Sequence, residues 1–251
     1  MNSLEWLTDY RQQLVSKLDD LAGLTACSQM VTLSNGERYV LRRQNERATN
    51  YGIDYQQEAK LLQLIKPLNI APEPIYFDEE SSLLYWIDGD VPKAFSSELL
   101  EKIAVHLAKL HTFDYQAVGS STFIAKLDLA ERCQYLWNKL PLVKREKLPF
   151  SNDFPSIIPF TQSICHHDVH LGNLIEHGEQ LFLIDWEYAA ISDPALDIAL
   201  FLQANALLAE EKSLFLKCYF NATGFDETAY LAKVEEYMPE IEKLNLLWSA
   251  F

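Results

Sequence analysis

Apolar residues in this chain follow two different spacings, and the change between them falls at Gly89. Before it, "SQMVTLSNGERYVLRR" sets two β-rich runs on either side of Ser34-Asn35-Gly36. Asn-Gly tolerates the positive φ values of a tight hairpin turn. "PEPIYFDEESSLLYWIDGD" gives a second pair of short strands around an acidic turn. After Gly89 the apolar residues recur at helical intervals, with Leu99, Leu100, Ile103, Leu107 and Leu110 in 96–112. Residues 126–139, 195–206, 208–221 and 226–249 read as further helices, with short strands near 173–176 and 180–184. This division predicts an α+β chain with a small β-rich N-lobe, 1–88, before a larger helical C-lobe, 89–251. A hinge is expected near Trp86–Asp90. Two lobes joined by a short segment commonly hold a ligand.

Within the N-lobe, Leu4, Leu7, Leu14 and Leu18 sit at helical spacing, so residues 2–18 are expected as an amphipathic opening helix. Residues 44–53 are polar and read as a loop. Residues 54–66 read as a helix that stops before Pro67. The expected lobe is a small mixed sheet with one packed helix. Residues 140–160 carry Pro141, Pro149, Pro155 and Pro159, which predicts a long connection or a broken helix.

Charge and cysteine usage narrow the function. A formal net charge of −15 argues against a duplex nucleic-acid partner, which needs clustered Lys and Arg. It also weighs against an anionic membrane surface and favours a cationic small substrate. Cys27, Cys133, Cys165 and Cys218 form no CxxC pair and read as reduced thiols. The N-terminus lacks an apolar signal core, and no run of about 18 apolar residues occurs. A soluble, cytoplasmic protein is therefore expected.

The chemistry concentrates in Ser163–Ala189, "SICHHDVHLGNLIEHGEQLFLIDWEYA". A zinc site is one reading: in an extended segment His166, Asp168 and His170 share a face. Such a site needs further ligands, and His106, His111 and His177 offer no paired spacing. Phosphoryl transfer uses more of the stretch. Kinases need a carboxylate to accept the hydroxyl proton, and an Asn and a second Asp to hold Mg²⁺ against the nucleotide phosphates. H-x-D-x-x-x-x-N is present as His166, Asp168 and Asn173, and Asp185 follows the apolar run Leu181–Ile184. Hard oxygen ligands of this kind suit Mg²⁺.

"HHDVHLGNLI…LFLIDWEYAAISDPALDIALFL" resembles the aminoglycoside phosphotransferase and choline kinase superfamily, which has a protein-kinase-like two-lobe fold. "IDWEYA" looks most like the choline kinase and bacterial thiamine kinase branches. The resemblance extends over roughly residues 20 to 205 and implies further roles. "YVLRR" resembles the strand with the phosphate-contacting basic residue, here Arg42 where protein kinases carry Lys; Arg43 would face the other way into solvent. "QQEAKLLQLI" resembles the helix whose Glu pairs with that residue, nominating Glu58. "LLYWIDGD" resembles the adenine-contacting hinge, with Tyr85, Trp86 and Ile87 as lining. "LAKLH", ending at His111, resembles a recurrent helix end. The phosphate loop is expected between Gly23 and Val31, with one glycine. His166 would fix the catalytic loop, and Asp193 and Asp197 would brace it. Glu187 and Tyr188 would border the acceptor site, with Tyr135, Trp137, Tyr237 and Trp248 as further aromatic candidates.

The expectation is an ATP- and Mg²⁺-dependent kinase acting on the hydroxyl of a small cationic alcohol such as choline, ethanolamine or thiamine. Asp168 would take the proton, Asn173 and Asp185 would hold Mg²⁺, and Arg42 would neutralise phosphate charge. An aminoglycoside acceptor, or a non-catalytic nucleotide-binding protein on the same fold, are the alternatives.

Overall fold

The computed structural model describes residues 2–21, 28–118 and 124–250. In chain order the elements begin with α1 (Ser3–Arg11), β1 (Val15–Asp20), β2 (Ser28–Leu33), β3 (Arg38–Arg43), α2 (Glu46–Asn50) and α3 (Tyr55–Ile65). Then come β4 (Pro74–Phe77), β5 (Ser81–Tyr85), α4 (Ser97–His111), α5 (Tyr115–Val118), α6 (Leu129–Lys139) and α7 (Leu142–Arg145). The chain continues through β6 (Ser163–Cys165), β7 (Leu174–His177), β8 (Gln180–Leu183) and β9 (Ala190–Ser192) to α8 (Pro194–Asn205), α9 (Ala209–Thr223) and α10 (Glu227–Ala250).

These elements divide into two compact units that are not contiguous in sequence. The first takes Met1–Lys93, Tyr115–Ile124 and Leu171–Ala189; the second takes Ala94–Asp114, Ala125–His170 and Ala190–Phe251. The first break lies near the expected 88/89 boundary, yet the β7–β8 hairpin belongs to the first unit. Backbone hydrogen bonds hold it there. Asp90 and Glu176 exchange bonds of 3.0 and 2.9 Å, and Leu183 N donates to Ile70 O at 2.7 Å. Gly89 permits this approach: its φ is +151°, and a Cβ there would collide with the Glu176 carbonyl.

In the first unit five strands form one sheet in the order β1-β2-β3-β5-β4. Every neighbouring pair is antiparallel, so the sheet is not the expected mixed one. The Ser34-Asn35-Gly36 hairpin forms as expected, with Val31 opposite Tyr39 and Gly36 at φ +89°. Leu7 of α1 packs with Val31, Leu33, Tyr39, Leu41 and Leu83 on one face. Each such fully buried apolar side chain contributes roughly 1.5–3 kcal/mol.

The opening helix is shorter than its spacing predicts. Asn2 and Glu5 form a capping box, but Gln12 turns into the left-handed region at φ 54° and ends α1. The chain then becomes edge strand β1, leaving Leu14 71% and Leu18 41% exposed. Residues 44–53 also contain a helix, α2, capped by the Asn45 side chain on Ala48 N. Asp54 caps α3, and Pro67 falls in the 3-10 turn that follows it.

The second unit is mostly helical. Ser96 caps α4 through Leu99 N, α4 packs along α9, and α10 packs on α8 and α6. In the 140–160 connection only the short helix α7 forms among the named elements. β6 and β9 pair as a short antiparallel ladder. Their three-residue length gives no alternation to read. Among the described residues, no helix is long and apolar enough to cross a membrane.

Candidate active site

Arg42 and Leu41 are successive residues of β3, so their side chains leave opposite faces of the sheet. Leu41 joins the core under α1, and Arg42 meets α3 residues on the other face. Its guanidinium is nearly buried and lies among three carboxylates. Nη1 is 3.2 Å from Glu58 Oε1 and 3.4 Å from Glu187 Oε2, while Nη2 is 2.9 Å from Asp185 Oδ1. The Tyr55 ring lies 5.3 Å below the guanidinium carbon. Trp186 N donates to Glu58 Oε1 at 3.1 Å, and Tyr55 Oη donates to Glu187 Oε2 at 3.2 Å.

Burial works against charge on Arg42, but Glu58, Asp185 and Glu187 together hold it protonated and raise its pKa. The carboxylates themselves are overcrowded. Burial, with repulsion from Asp185, pushes Glu58 up to about 7 against the pull of Arg42. Burial and the Asp185 charge do the same to Glu187, also to about 7. Three acids share one cation, so Glu58 and Glu187 resist full ionisation, and a divalent cation would balance the charge they take on.

The ends of the β7–β8 hairpin bring Asn173 and Asp185 together in sequence register. Leu174 pairs with Leu183, and Ile184 N donates to Asn173 O at 2.9 Å. Asn173 is buried and Asp185 is partly exposed. Asp185 adopts φ 64°, a left-handed backbone that costs a non-glycine residue roughly 1–2 kcal/mol. Such strain persists where surroundings over-determine it, often at functional sites. Asn173 and Asp185 offer oxygen donors only, the type Mg²⁺ takes, so the set fits that ion.

In the second unit Asp197 of α8 organises the segment that carries Asp168. Its Oδ2 accepts from His166 N at 2.8 Å and from His111 Nε2 at 3.0 Å; its Oδ1 accepts from His167 N at 2.8 Å. Burial alone would raise the Asp197 pKa, but the His111 hydrogen bond and the three nearby imidazoles bring it well below the usual range. His111 Nδ1 lies 2.7 Å from Tyr219 Oη, which lies 2.9 Å from Tyr230 Oη. His167 takes φ 68° within this grip. Asp168 N donates to the buried His166 Nδ1 at 3.3 Å, and His170 Nε2 lies 3.7 Å from Asp168 Oδ1. The Asp168 side chain is 37% exposed, so a substrate could reach it.

Asp193 caps α8 and ties three segments: its oxygens accept from Ala195 N, Phe160 N and Tyr237 Oη at 3.0, 2.7 and 3.0 Å. Burial raises its pKa. Tyr85 packs beside Tyr39 at 5.7 Å, and Arg38 stacks on Trp86 at 5.4 Å; Ile87 is half-buried. Tyr188 packs against the Ala48, Ile53 and Tyr55 cluster. Of the aromatic candidates, Tyr135 and Trp248 lie under Arg132, and Trp137 sits with Phe150 and Phe154. Residues 23–27 of the expected phosphate loop lie outside the described residues, and Ser28–Val31 begins β2.

The zinc reading is not what the geometry assembles. Among the described residues the three ligand-type groups close enough to share an ion are His111, Cys165 and Asp197. Asp197 is already engaged by three donors, and burial keeps the Cys165 thiol protonated. The clamp from His111 onto Asp197 was missed at the sequence level; the helix end "LAKLH" was its only trace. The Arg42–Glu187 and Tyr55–Glu187 contacts had no signal at all.

The fold is that of the protein-kinase-like phosphotransferases. Choline kinase LicA from Streptococcus pneumoniae aligns in structure with 98% of this chain and 86% of its own, with TM-score 0.70 and 20% identity. The chain matches the Phosphotransferase enzyme family over residues 28–237 and belongs to it. It is 24% identical over 226 residues to the Protein LicA homolog of Metamycoplasma hominis, covering 76% of this chain and 87% of that protein. It is 29% identical over 169 residues to the thiamine kinase of Escherichia coli, covering 65% and 58% respectively. The chain is a small-molecule kinase of this family.

Proposed function

We propose that the chain transfers the γ-phosphoryl group of ATP to the hydroxyl of a small cationic alcohol of the choline, ethanolamine or thiamine type. The observation that carries this reading is the Arg42 cluster, one guanidinium among Glu58, Asp185 and Glu187. Phosphoryl transfer needs a cation at the phosphates and carboxylates that can share a metal. Arg42 contacts phosphate oxygens, and Asn173 with Asp185 holds Mg²⁺. Bound Mg²⁺ supplies neutralisation of the phosphate charge. Asp168 orients the acceptor hydroxyl and accepts its proton. His166 and Asp197 keep the Asp168 backbone in place, and Tyr85, Trp86 and Ile87 line the adenine end. Positioning and electrostatics account for most of the rate in this chemistry.

Support for a cationic acceptor comes from three directions. The chain carries a formal net charge of −15. Glu187 and Tyr188 are held by Arg42, Tyr55 and the cluster of Ala48 and Ile53, so the charge that suits a cationic group comes from the partly exposed Asp168 and Asp185 carboxylates. The similar proteins named above include a choline kinase and a thiamine kinase.

ADP release with Mg-ATP, measured across choline, ethanolamine, thiamine and kanamycin, tests the reading. Release that depends on one of the first three, and falls at least about 100-fold in Asp168→Asn with ATP binding intact, is expected. Release with kanamycin alone would replace the acceptor class. ATP binding without any release would move the chain to a nucleotide-binding role.

A further inference from the structure

Protein kinases and this chain differ at the basic residue of β3, and the environment of Arg42 explains the choice of Arg. We propose that Tyr55 is a positioning residue that clamps Arg42 and makes the site specific for arginine; this rests on Arg42 contacting nucleotide phosphates. Tyr55 touches both members of one ion pair. Its ring lies 5.3 Å below the Arg42 guanidinium, and its hydroxyl donates at 3.2 Å to Glu187 Oε2. That same oxygen lies 3.4 Å from Arg42 Nη1.

Tyr55 is itself firmly held. It is 1% exposed, packs with Ala48 and Ile53, and donates its backbone N–H to Gln44 Oε1 at 3.2 Å. It is the first residue of α3, directly after the Asp54 cap. Glu58 follows three positions later on the same helical face. One helix thus presents Arg42 with a flat aromatic surface and a carboxylate.

A guanidinium matches this setting and an ammonium does not. The guanidinium spreads its charge over a ring face while its two Nη atoms reach separate acceptors. Here Nη1 serves Glu58 and Glu187 and Nη2 serves Asp185. Lysine could reach the ring or one carboxylate as a point charge but would lose the fork that serves several carboxylates at once. Without the ring, the guanidinium loses the aromatic face seen beside it and is expected to settle further onto the carboxylates, away from a phosphate.

A double-substitution cycle on the full-length protein tests this, with Mg-ATP affinity measured by calorimetry. Tyr55→Leu is expected to weaken binding about tenfold, the scale of a desolvated cation–π contact. Tyr55→Phe, which keeps the ring and loses the hydroxyl, should retain most of the affinity. Arg42→Lys should cost much in the wild-type background and little in Tyr55→Leu, because the two residues act as a unit. If Tyr55→Leu does not fold, the same cycle is run with Tyr55→Phe and is expected to show smaller coupling of the same sign. Additive losses, or unchanged affinity in a folded Tyr55→Leu protein, overturn the inference while leaving the phosphate role of Arg42 intact. Wild-type protein that does not bind Mg-ATP overturns both.

Discussion

Two buried charges organise this molecule, and they are satisfied in opposite ways. Asp197 in the helical unit is a single anion with donors from His111, His166 and His167. Arg42 in the sheet unit is a single cation facing Glu58, Asp185 and Glu187. The first arrangement is complete: both carboxylate oxygens have donors, and the pKa falls because the donors favour the ionised form. The second is unbalanced, with Glu58 and Glu187 both pushed to about 7. A complete hub serves as scaffold. An unbalanced hub leaves charge for a ligand to balance, and under the proposed function that ligand is the nucleotide phosphates with a divalent cation. On the proposed function, the contrast separates residues that hold the Asp168 segment from residues that would meet the ligand.

Breaking the complete hub should have the largest effect on stability. Asp197→Ala leaves three donors, two of them buried, without their acceptor and is expected to lower stability by about 3–5 kcal/mol, read by urea unfolding. In the wild type the Asp197 contribution is full above its unfolded value of 3.8 and is lost as pH falls below it. The acid limb of the stability curve should therefore be shallower in the variant.

The unbalanced hub should show the opposite pH dependence. The folded state keeps a proton on Glu58 up to about pH 7, whereas the unfolded chain releases it near 4.5. Stability from this group is present below 4.5 and declines as pH rises toward 7. Glu58→Gln should flatten that decline, measured as the melting temperature across pH 5 to 8. A steeper decline in the variant would contradict the surplus-charge account. The smallest effect should come from the neighbouring cation. Arg43 is exposed and donates to Gln29 Oε1 at 2.6 Å. Arg43→Ala should change stability by less than about 0.5 kcal/mol and leave Mg-ATP affinity unchanged.

The unequal legibility of these regions has physical causes. Asn35-Gly36 announces its hairpin because its φ requirement is local. Asp168, Asn173 and Asp185 stand out in the sequence because phosphoryl transfer demands fixed residue types at short spacing. Helical spacing overruns the opening helix because Leu14 and Leu18 keep the spacing of Leu4 and Leu7, while Gln12 turns the chain. Its left-handed backbone has no marker in a glutamine. The hairpin of Leu174 to Leu183 belongs to the first unit through backbone bonds to Asp90 and Ile70, and backbone bonds carry no residue identity. The Tyr55–Glu187 and His111–Asp197 contacts join residues 132 and 86 positions apart, beyond any spacing rule.

Mg²⁺ dependence of ATP binding, compared between wild type and Asp185→Asn, tests the central contrast most directly. If the Arg42 cluster is completed by phosphate and metal, Mg²⁺ will strengthen ATP binding in the wild type, and Asp185→Asn will lose most of that gain while folding normally. ATP affinity that ignores Mg²⁺, or a gain that survives intact in Asp185→Asn, would contradict it and leave the Arg42 cluster a structural ion pair.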